Sequence, residues 1–172
     1  MKDNSVIERH IMSVLVDNEP GVLARVIGLF SGRGYNIESL TVSETDPERA
    51  LSRISIVTSG TPMVIEQIKA QLARLVPIHA VRDLTEHDVA IERELALVKI
   101  INHGEERIEA LRIADTFRAR TLDSTLDSFV FEVTGNSSKV DAFVNLMRSL
   151  GSVEVARTGV SAISRGNKID LE

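Results

Sequence analysis

Four histidines are the residues of this chain that metal or acid–base chemistry would most readily use. His10, His79, His87 and His103 are scattered along the sequence, and none lies three or four residues from another on a predicted helix. The chain has no cysteine, which excludes a disulfide, a thiol nucleophile and a sulfur-ligated metal. We therefore predict no metal site and place the histidines at the surface or partly buried at strand ends.

Nucleophilic catalysis and phosphate binding have no clear motif either. No Gly-x-Ser-x-Gly elbow is present, and Glu105 and Glu106 are typical of a helix first turn, where carboxylates favour the helix dipole. The glycine-rich Ser31–Gly34 lies at the end of a predicted helix, where the dipole repels anions, so it predicts helix termination. No catalytic residue is predicted, although the sequence alone leaves carboxylate pairing open.

The turn before the first helix is the candidate ligand site. An apolar run ends at Val16, and apolar residues then recur with helical spacing from Val22. Gly21 leaves space beside unpaired first-turn amides, which suits a ligand carboxylate.

Two interpretations of this turn stay open. Asn18 could cap the helix with Pro20 in its first turn, making Gly21 a packing requirement. Alternatively, Asn18 and the amides of Gly21, Val22 and Leu23 bind a ligand. In that case Asn36, at the entry to the next strand, could approach the same place from a neighbouring subunit.

Composition sets the class of protein. With 172 residues, of which 43% are hydrophobic, the chain can bury a core in one ordinary domain or two small ones. The net charge of −5 comes without a basic cluster, so we expect no nucleic-acid partner. No long apolar run follows the N-terminal residues, so we expect no membrane span and a cytoplasmic location.

The pattern of strands and helices occurs twice. In the first half, strands are predicted at 9–16, 37–43, 52–58 and 78–84, with helices from the Asn18–Gly21 turn to Gly32 and from Thr61 to Pro77. In the second half, strands are predicted at 95–101, 120–124, 129–134 and 153–163, the last interrupted at Gly159, with helices over 105–117 and from Asn136 or Ser137 to Gly151.

Two β-α-β-β-α-β units imply an α+β chain of two ferredoxin-like domains, which we place at 1–86 and 87–172 with the boundary in the polar stretch 85–93. Right-handed crossovers put both helices of a unit on one face of its sheet and leave the other face open. Units of about 80 residues bury a marginal core, which favours association of halves or of chains.

The residues then match a known family. Asn18–Leu23 resembles the ligand loop of ACT domains, and the run through Arg25–Val42 resembles the small regulatory subunit of acetolactate synthase. The match continues through 97–100, 141–143, 154–160 and 164–166, so it covers nearly the whole chain. Asp17 and Pro20 stand where Glu and Ser are more usual, away from the proposed contacts.

The resemblance implies a chain without an active site, which binds a large catalytic subunit, raises its activity and confers feedback inhibition by valine, leucine or isoleucine. Thiamine diphosphate, FAD and Mg²⁺ are implied only on that catalytic subunit. The effector is implied to lie between two chains of a homodimer, among Asn18, Gly21, Val22 and Leu23 of one and Asn36 and Ile37 of the other. The C-terminal half is implied to contact its own copy and the catalytic subunit.

Two other functions stay open on the sequence. Ferredoxin-like units also occur in small enzymes, and a free-standing amino-acid-responsive module or transcription regulator is a third possibility. The absence of a basic helix counts against a transcription regulator.

Overall fold

A computed structural model describes residues 6–86 and 90–167. It contains two compact units, one made of the described residues up to Ile91 together with those from Val160 onward, the other of Glu92–Gly159. The segment after Gly159 packs with the first unit, whereas the sequence assigned it to the second half. The predicted division at residues 86 and 87 stays a prediction, and residues 87–89 of the proposed boundary lie outside the described residues.

The first unit follows the predicted order of elements. These are β1 (Glu8–Asp17), α1 (Val22–Gly32), β2 (Ser39–Asp46), β3 (Leu51–Gly60), α2 (Pro62–Leu72) and β4 (Ile78–Asp83). The strands form an antiparallel sheet in the order β2-β3-β1-β4, so β1 is central and β2 is an edge. Residues 11–16 of β1 are all buried, as predicted for a central strand covered on both faces.

The core of the first unit lies between one sheet face and both helices. Met12, Val14 and Ile54 from the sheet pack with Val26 and Phe30 of α1, and Ile65, Ile68 and Leu72 of α2 complete the layer. Helix α1 ends as its glycines predict, because Gly34 takes a positive φ of 71° and the Tyr35 amide bonds the Phe30 carbonyl. Both helices therefore lie on one face, as the crossover rule requires.

The prediction that the other sheet face stays open is wrong at one end of the first unit. Ile11, Val57 and Leu84 of that unit form a buried cluster with Val160 and Ala162. The Val160 amide donates to the Ser39 hydroxyl at 2.7 Å, which ties this segment to the first residue of β2. Gly159, the residue before this segment, takes a φ of 86°, a left-handed conformation that glycine adopts without strain.

The second unit repeats the plan. Its elements are β5 (Ala90–Ile101), α3 (Glu105–Thr116), β6 (Arg120–Ser124), β7 (Ser128–Gly135), α4 (Ser137–Arg148) and β8 (Ser152–Arg157), in the sheet order β6-β7-β5-β8. The first two residues of β5, Ala90 and Ile91, and the short β9 (Ser161–Ser164) belong to the first unit. This confirms the α+β fold of two ferredoxin-like units and the interruption at Gly159. Strand β5 begins five residues earlier than predicted, within the stretch assigned to the boundary.

Two local predictions in the second unit need correction. Of the residues predicted on the apolar face of α3, Ala114 is buried and Ile113 and Phe117 pack against the core, whereas Ile108 and Leu111 are 64% and 44% exposed. Gly151 does not stop α4 through a positive φ; a Cβ there would overlap the Ile101 carbonyl oxygen, so close backbone approach requires the glycine. The Asn136 cap is confirmed, because its side chain accepts the Lys139 amide hydrogen at 3.0 Å.

Candidate functional site

The loop between β1 and α1 is anchored on both sides. The Asp17 amide donates to the Pro77 carbonyl at 2.9 Å, and the Asn18 amide donates to the Ala50 carbonyl at 2.7 Å. The Asp17 carboxylate also lies 2.6 Å from His79 Nε2. The backbone of the loop is thus fixed before the helix begins, which is what a preorganised binding loop requires.

Helix α1 begins later than the capping interpretation assumed. Gly21 occupies the N-cap with φ 87° and ψ −10°, and no side chain caps the helix. Asn18 and Pro20 both precede Gly21. Asn18 is therefore not the helix cap, and Pro20 is not in the first helical turn, as the capping interpretation required. A Cβ on Gly21 would meet nothing within 4 Å, so the left-handed backbone, rather than packing, requires glycine here.

The first turn of α1 contains two amide donors without a partner among the described residues. The Val22 amide makes one long bond to the Glu19 carbonyl at 3.4 Å, and the Arg25 amide bonds Gly21. Between them, the amides of Leu23 and Ala24 have no acceptor within the part of the chain that the structure describes. Unpaired amides at the positive end of a helix dipole suit a carboxylate ligand.

The predicted residues of this loop divide into core and surface. The Val22 side chain is buried in the core, so it is not available to a ligand. Leu23 and Ile27 are 38% and 39% exposed and lie one turn apart on α1, and the edge-strand residue Val42 is 42% exposed. Val42 pairs opposite the core residue Ile54, so it shares the sheet face that carries the helices. Apolar side chains are thus available for a branched ligand.

Asn36 and Ile37 lie far from this loop within one chain. The Asn36 carbonyl accepts the Thr58 hydroxyl at 2.7 Å, whereas Asn18 bonds Ala50, at the opposite end of β3. Those two β3 contacts are separated by more than about 20 Å at the usual strand rise. The Asn36 side chain is exposed, and Ile37 is half-buried against the first-unit core. A single chain therefore does not bring the six predicted site residues together.

Glu44 is a residue of this loop region that the sequence analysis missed. The Asn18 side-chain amide donates to Glu44 Oε1 at 2.8 Å. The sequence predicts a strand that ends at residue 43, but β2 continues to Asp46, with a register shift after Glu44 that leaves Thr45 without a partner residue on β3. The alternation of Leu40, Val42 and Glu44 is the sequence signal for this longer strand. The acidic residues that follow are typical of a turn, so the predicted strand ends too early.

The three described histidines, His10, His79 and His103, belong to no metal-binding cluster of described residues. Among residues 6–86 and 90–167, no three His, Asp or Glu side chains group as a metal-binding cluster. His10 bonds the buried Asp83 at 2.7 Å, and His103 lies 3.3 Å from Asp127. His87 lies outside the described residues. No helix of the described chain is long and apolar enough to cross a membrane.

A charged network in the second unit has a structural role. Arg157 pairs with the buried Glu94 and, at 2.6 Å, with Asp141. Partial burial, which lowers the pKa of an arginine, is outweighed by these hydrogen bonds, so the pKa of Arg157 is raised. Arg157 also borders a surface groove of about 460 Å³, but its two carboxylate partners already neutralise it.

Comparison with known proteins decides the family. A family model described as "AHAS small subunit-like ACT domain" matches residues 12–80, and one described as "Small subunit of acetolactate synthase" matches residues 93–166. A probable acetolactate synthase small subunit of Archaeoglobus fulgidus is 49% identical over 160 residues, covering 93% of this chain and 99% of that protein. The chain belongs to the acetolactate synthase small-subunit family.

Other relatives agree along nearly the full length. The acetolactate synthase isozyme 3 small subunit of Escherichia coli is 48% identical over 94% of this chain and 98% of its own. The crystal structure of the small subunit from Thermotoga maritima superposes with a TM-score of 0.83 at 37% identity, over 94% of this chain and 99% of that one. The family resemblance and the ACT-type first unit are thereby confirmed.

Proposed function

We propose that this chain is the regulatory subunit of an acetolactate synthase in branched-chain amino acid biosynthesis. It binds a large catalytic subunit, raises that subunit's activity and makes it sensitive to valine or a related branched-chain amino acid. The observation that carries the proposal is the family match, which extends over both units. Thiamine diphosphate, FAD and Mg²⁺ are held by the catalytic subunit, and the small subunit acts in the cytoplasm without a catalytic site of its own.

The effector site we propose is shared between two chains. Strand β2 is a sheet edge, so its outer hydrogen-bonding groups are free to pair with a second β2. Antiparallel pairing about a two-fold axis places the start of one β2 beside the end of the other. Asn36 and Ile37 of one chain then approach Asn18 and Gly21 of its partner. Within one chain these residues are too far apart to form one site.

The chemistry of the site fits an aliphatic amino acid. The carboxylate of the amino acid accepts hydrogen bonds from the amides of Leu23 and Ala24 at the N-terminus of α1. Its branched side chain packs against exposed apolar groups such as Leu23. A ligand that bridges two chains favours one arrangement of the dimer over another. A preference of about 1 to 3 kcal/mol is the usual size of such coupling.

Mixing two binding-defective variants tests the shared site. Gly21→Asp blocks the first turn with a carboxylate, and Asn36→Ala removes the amide, so each homodimer is expected to lose valine binding measured by calorimetry. In a dimer of one chain of each kind, one site holds both changes and the other holds neither. Random re-pairing therefore restores about one quarter of the wild-type sites. Binding that stays absent in re-paired mixtures contradicts a site built from two chains.

Co-purification tests the partner. A tagged chain expressed with a large thiamine-dependent acetolactate synthase subunit should retain it and raise its turnover of pyruvate. The purified small subunit alone should show no turnover, and turnover by rigorously separated protein contradicts the proposal. Activation without any response to valine would retain the regulatory-subunit assignment and exclude the effector.

A further inference from the structure

Glu44 is an exposed carboxylate for which the described residues supply no cation. Within the described residues it forms no ion pair, whereas the neighbouring Asp46 lies 3.7 Å from Arg49 and accepts the Arg49 amide at 3.1 Å. The side-chain amide of Asn18 donates to Glu44 Oε1 at 2.8 Å, which is the one hydrogen bond that the described part of the chain gives this carboxylate. The second oxygen, Oε2, is therefore free to accept, since an ionised carboxylate offers about four acceptor positions.

The strand geometry aims this carboxylate at the candidate site. Glu44 pairs opposite Ser52 of β3, which in turn pairs opposite Val16, whose side chain lies in the core beneath the helices. Directly paired residues share a sheet face, so Glu44 lies on the helix side of the sheet, two residues past Val42. Asn18 follows Val16 by two residues and completes the contact.

An α-amino acid at this site brings one positive group that needs an acceptor. The first-turn amides of α1 can donate hydrogen bonds to its carboxylate. They cannot bind its ammonium group, because amide N–H and ammonium are both donors. We propose that Glu44, held in place by Asn18, accepts the effector's ammonium group and so selects an α-amino acid over the 2-oxo acid with the same side chain. This inference rests on the proposed function and assigns the ligand selectivity of its site.

The two ligands that test the selectivity are L-valine and 3-methyl-2-oxobutanoate, which carries a carbonyl where valine carries its ammonium. Affinities for both are measured by calorimetry on the full chain, the weaker ligand by displacement. Glu44→Gln keeps an oxygen that accepts from Asn18 but removes the charge. Glu48→Gln is the matched control, because it makes the same change at an exposed residue of the same hairpin.

Glu44→Gln is expected to lose valine affinity by about tenfold or more, the usual effect of removing a charged hydrogen-bond partner, while affinity for the oxo acid holds or rises. Glu48→Gln should match the wild type for both ligands. A valine-to-oxo-acid ratio unchanged in Glu44→Gln overturns the inference, even if Glu44→Ala binds both ligands poorly, because Glu44 then only orients Asn18. A wild-type chain that binds neither ligand overturns the proposed effector site itself.

Discussion

At the scale of single residues, the conformation of Gly21 is the feature that fixes the candidate site. Its φ of 87° lets the chain turn from the loop into α1 without a side-chain cap, so the Leu23 and Ala24 amides find no acceptor among the residues that the structure describes. A residue with a Cβ strains this turn although space for a Cβ is available. Gly21 thus determines both where α1 begins and which of its first-turn amides can donate to a ligand.

The left-handed backbone of Gly21 predicts that alanine substitutions at Gly21 and Gly28 change the free energy of unfolding in opposite directions. Gly21→Ala should lower the free energy of unfolding by about 1 to 2 kcal/mol, because alanine resists a left-handed backbone. Gly28→Ala, in the interior of α1 with open space around its Cβ, should raise it by about 0.5 to 1 kcal/mol. Urea denaturation compares the two, and shifts of the same sign contradict the conformational explanation.

At the scale of elements, the segment from Val160 to Ser164 links the C-terminal part of the sequence to the candidate site. Val160 and Ala162 are buried on the sheet face opposite the helices, and the Val160 amide bonds Ser39 three residues after Asn36. The sheet face that ferredoxin-like units usually leave open is covered here at one end. The start of β2 is thereby held by a segment 121 residues away in sequence.

The bond between Ser39 and Val160 predicts a local change in hydrogen exchange. Ser39→Ala removes the acceptor, so the Val160 amide should exchange about fivefold faster or more, which corresponds to about 1 kcal/mol for a lost hydrogen bond. Ser43→Ala, at an exposed position of the same strand, is the control and should leave that amide unchanged. Equal exchange in Ser39→Ala and wild type would show that the bond does not protect the segment.

At the scale of the whole molecule, the separation of Asn18 from Asn36 means that one chain alone does not bring together the residues of the proposed effector site. The edge position of β2 and its exposed Val42 provide the surface that a second copy would cover. Association and effector binding are therefore expected to change together when this edge is altered.

Val42→Lys tests that link. A lysine on the edge strand of each copy places like charges at the proposed interface. The dissociation constant of the dimer should therefore rise, and the affinity for valine should fall. Met63→Lys, on the exposed side of α2, is the control and should affect neither. Analytical ultracentrifugation and calorimetry measure the two properties. A Val42→Lys chain that stays dimeric and binds valine normally argues against β2 pairing.

The sequence determined the order of elements, the two-unit plan and the family. Hydrophobic periodicity and end signals are local, so residues such as Val140, Phe143 and Asn136 could be placed on α4 from the sequence alone. The same reasoning missed the length of β2 because acidic residues favour turns. On α3 it placed Ile113, Ala114 and Phe117 correctly against the core, but it also placed there Ile108 and Leu111, which are exposed.

Only the tertiary structure decided which distant residues meet. Asn18 and Glu44 are 26 residues apart in sequence, and their contact depends on the pairing of β1 and β2 with β3 and on the register shift after Glu44. Asn36 and Asn18 are closer in sequence, yet strand register holds them at opposite ends of β3. Register is set by the packing of whole strands against a shared core, so local patterns could place the Asn18–Leu23 loop but could not identify its neighbours.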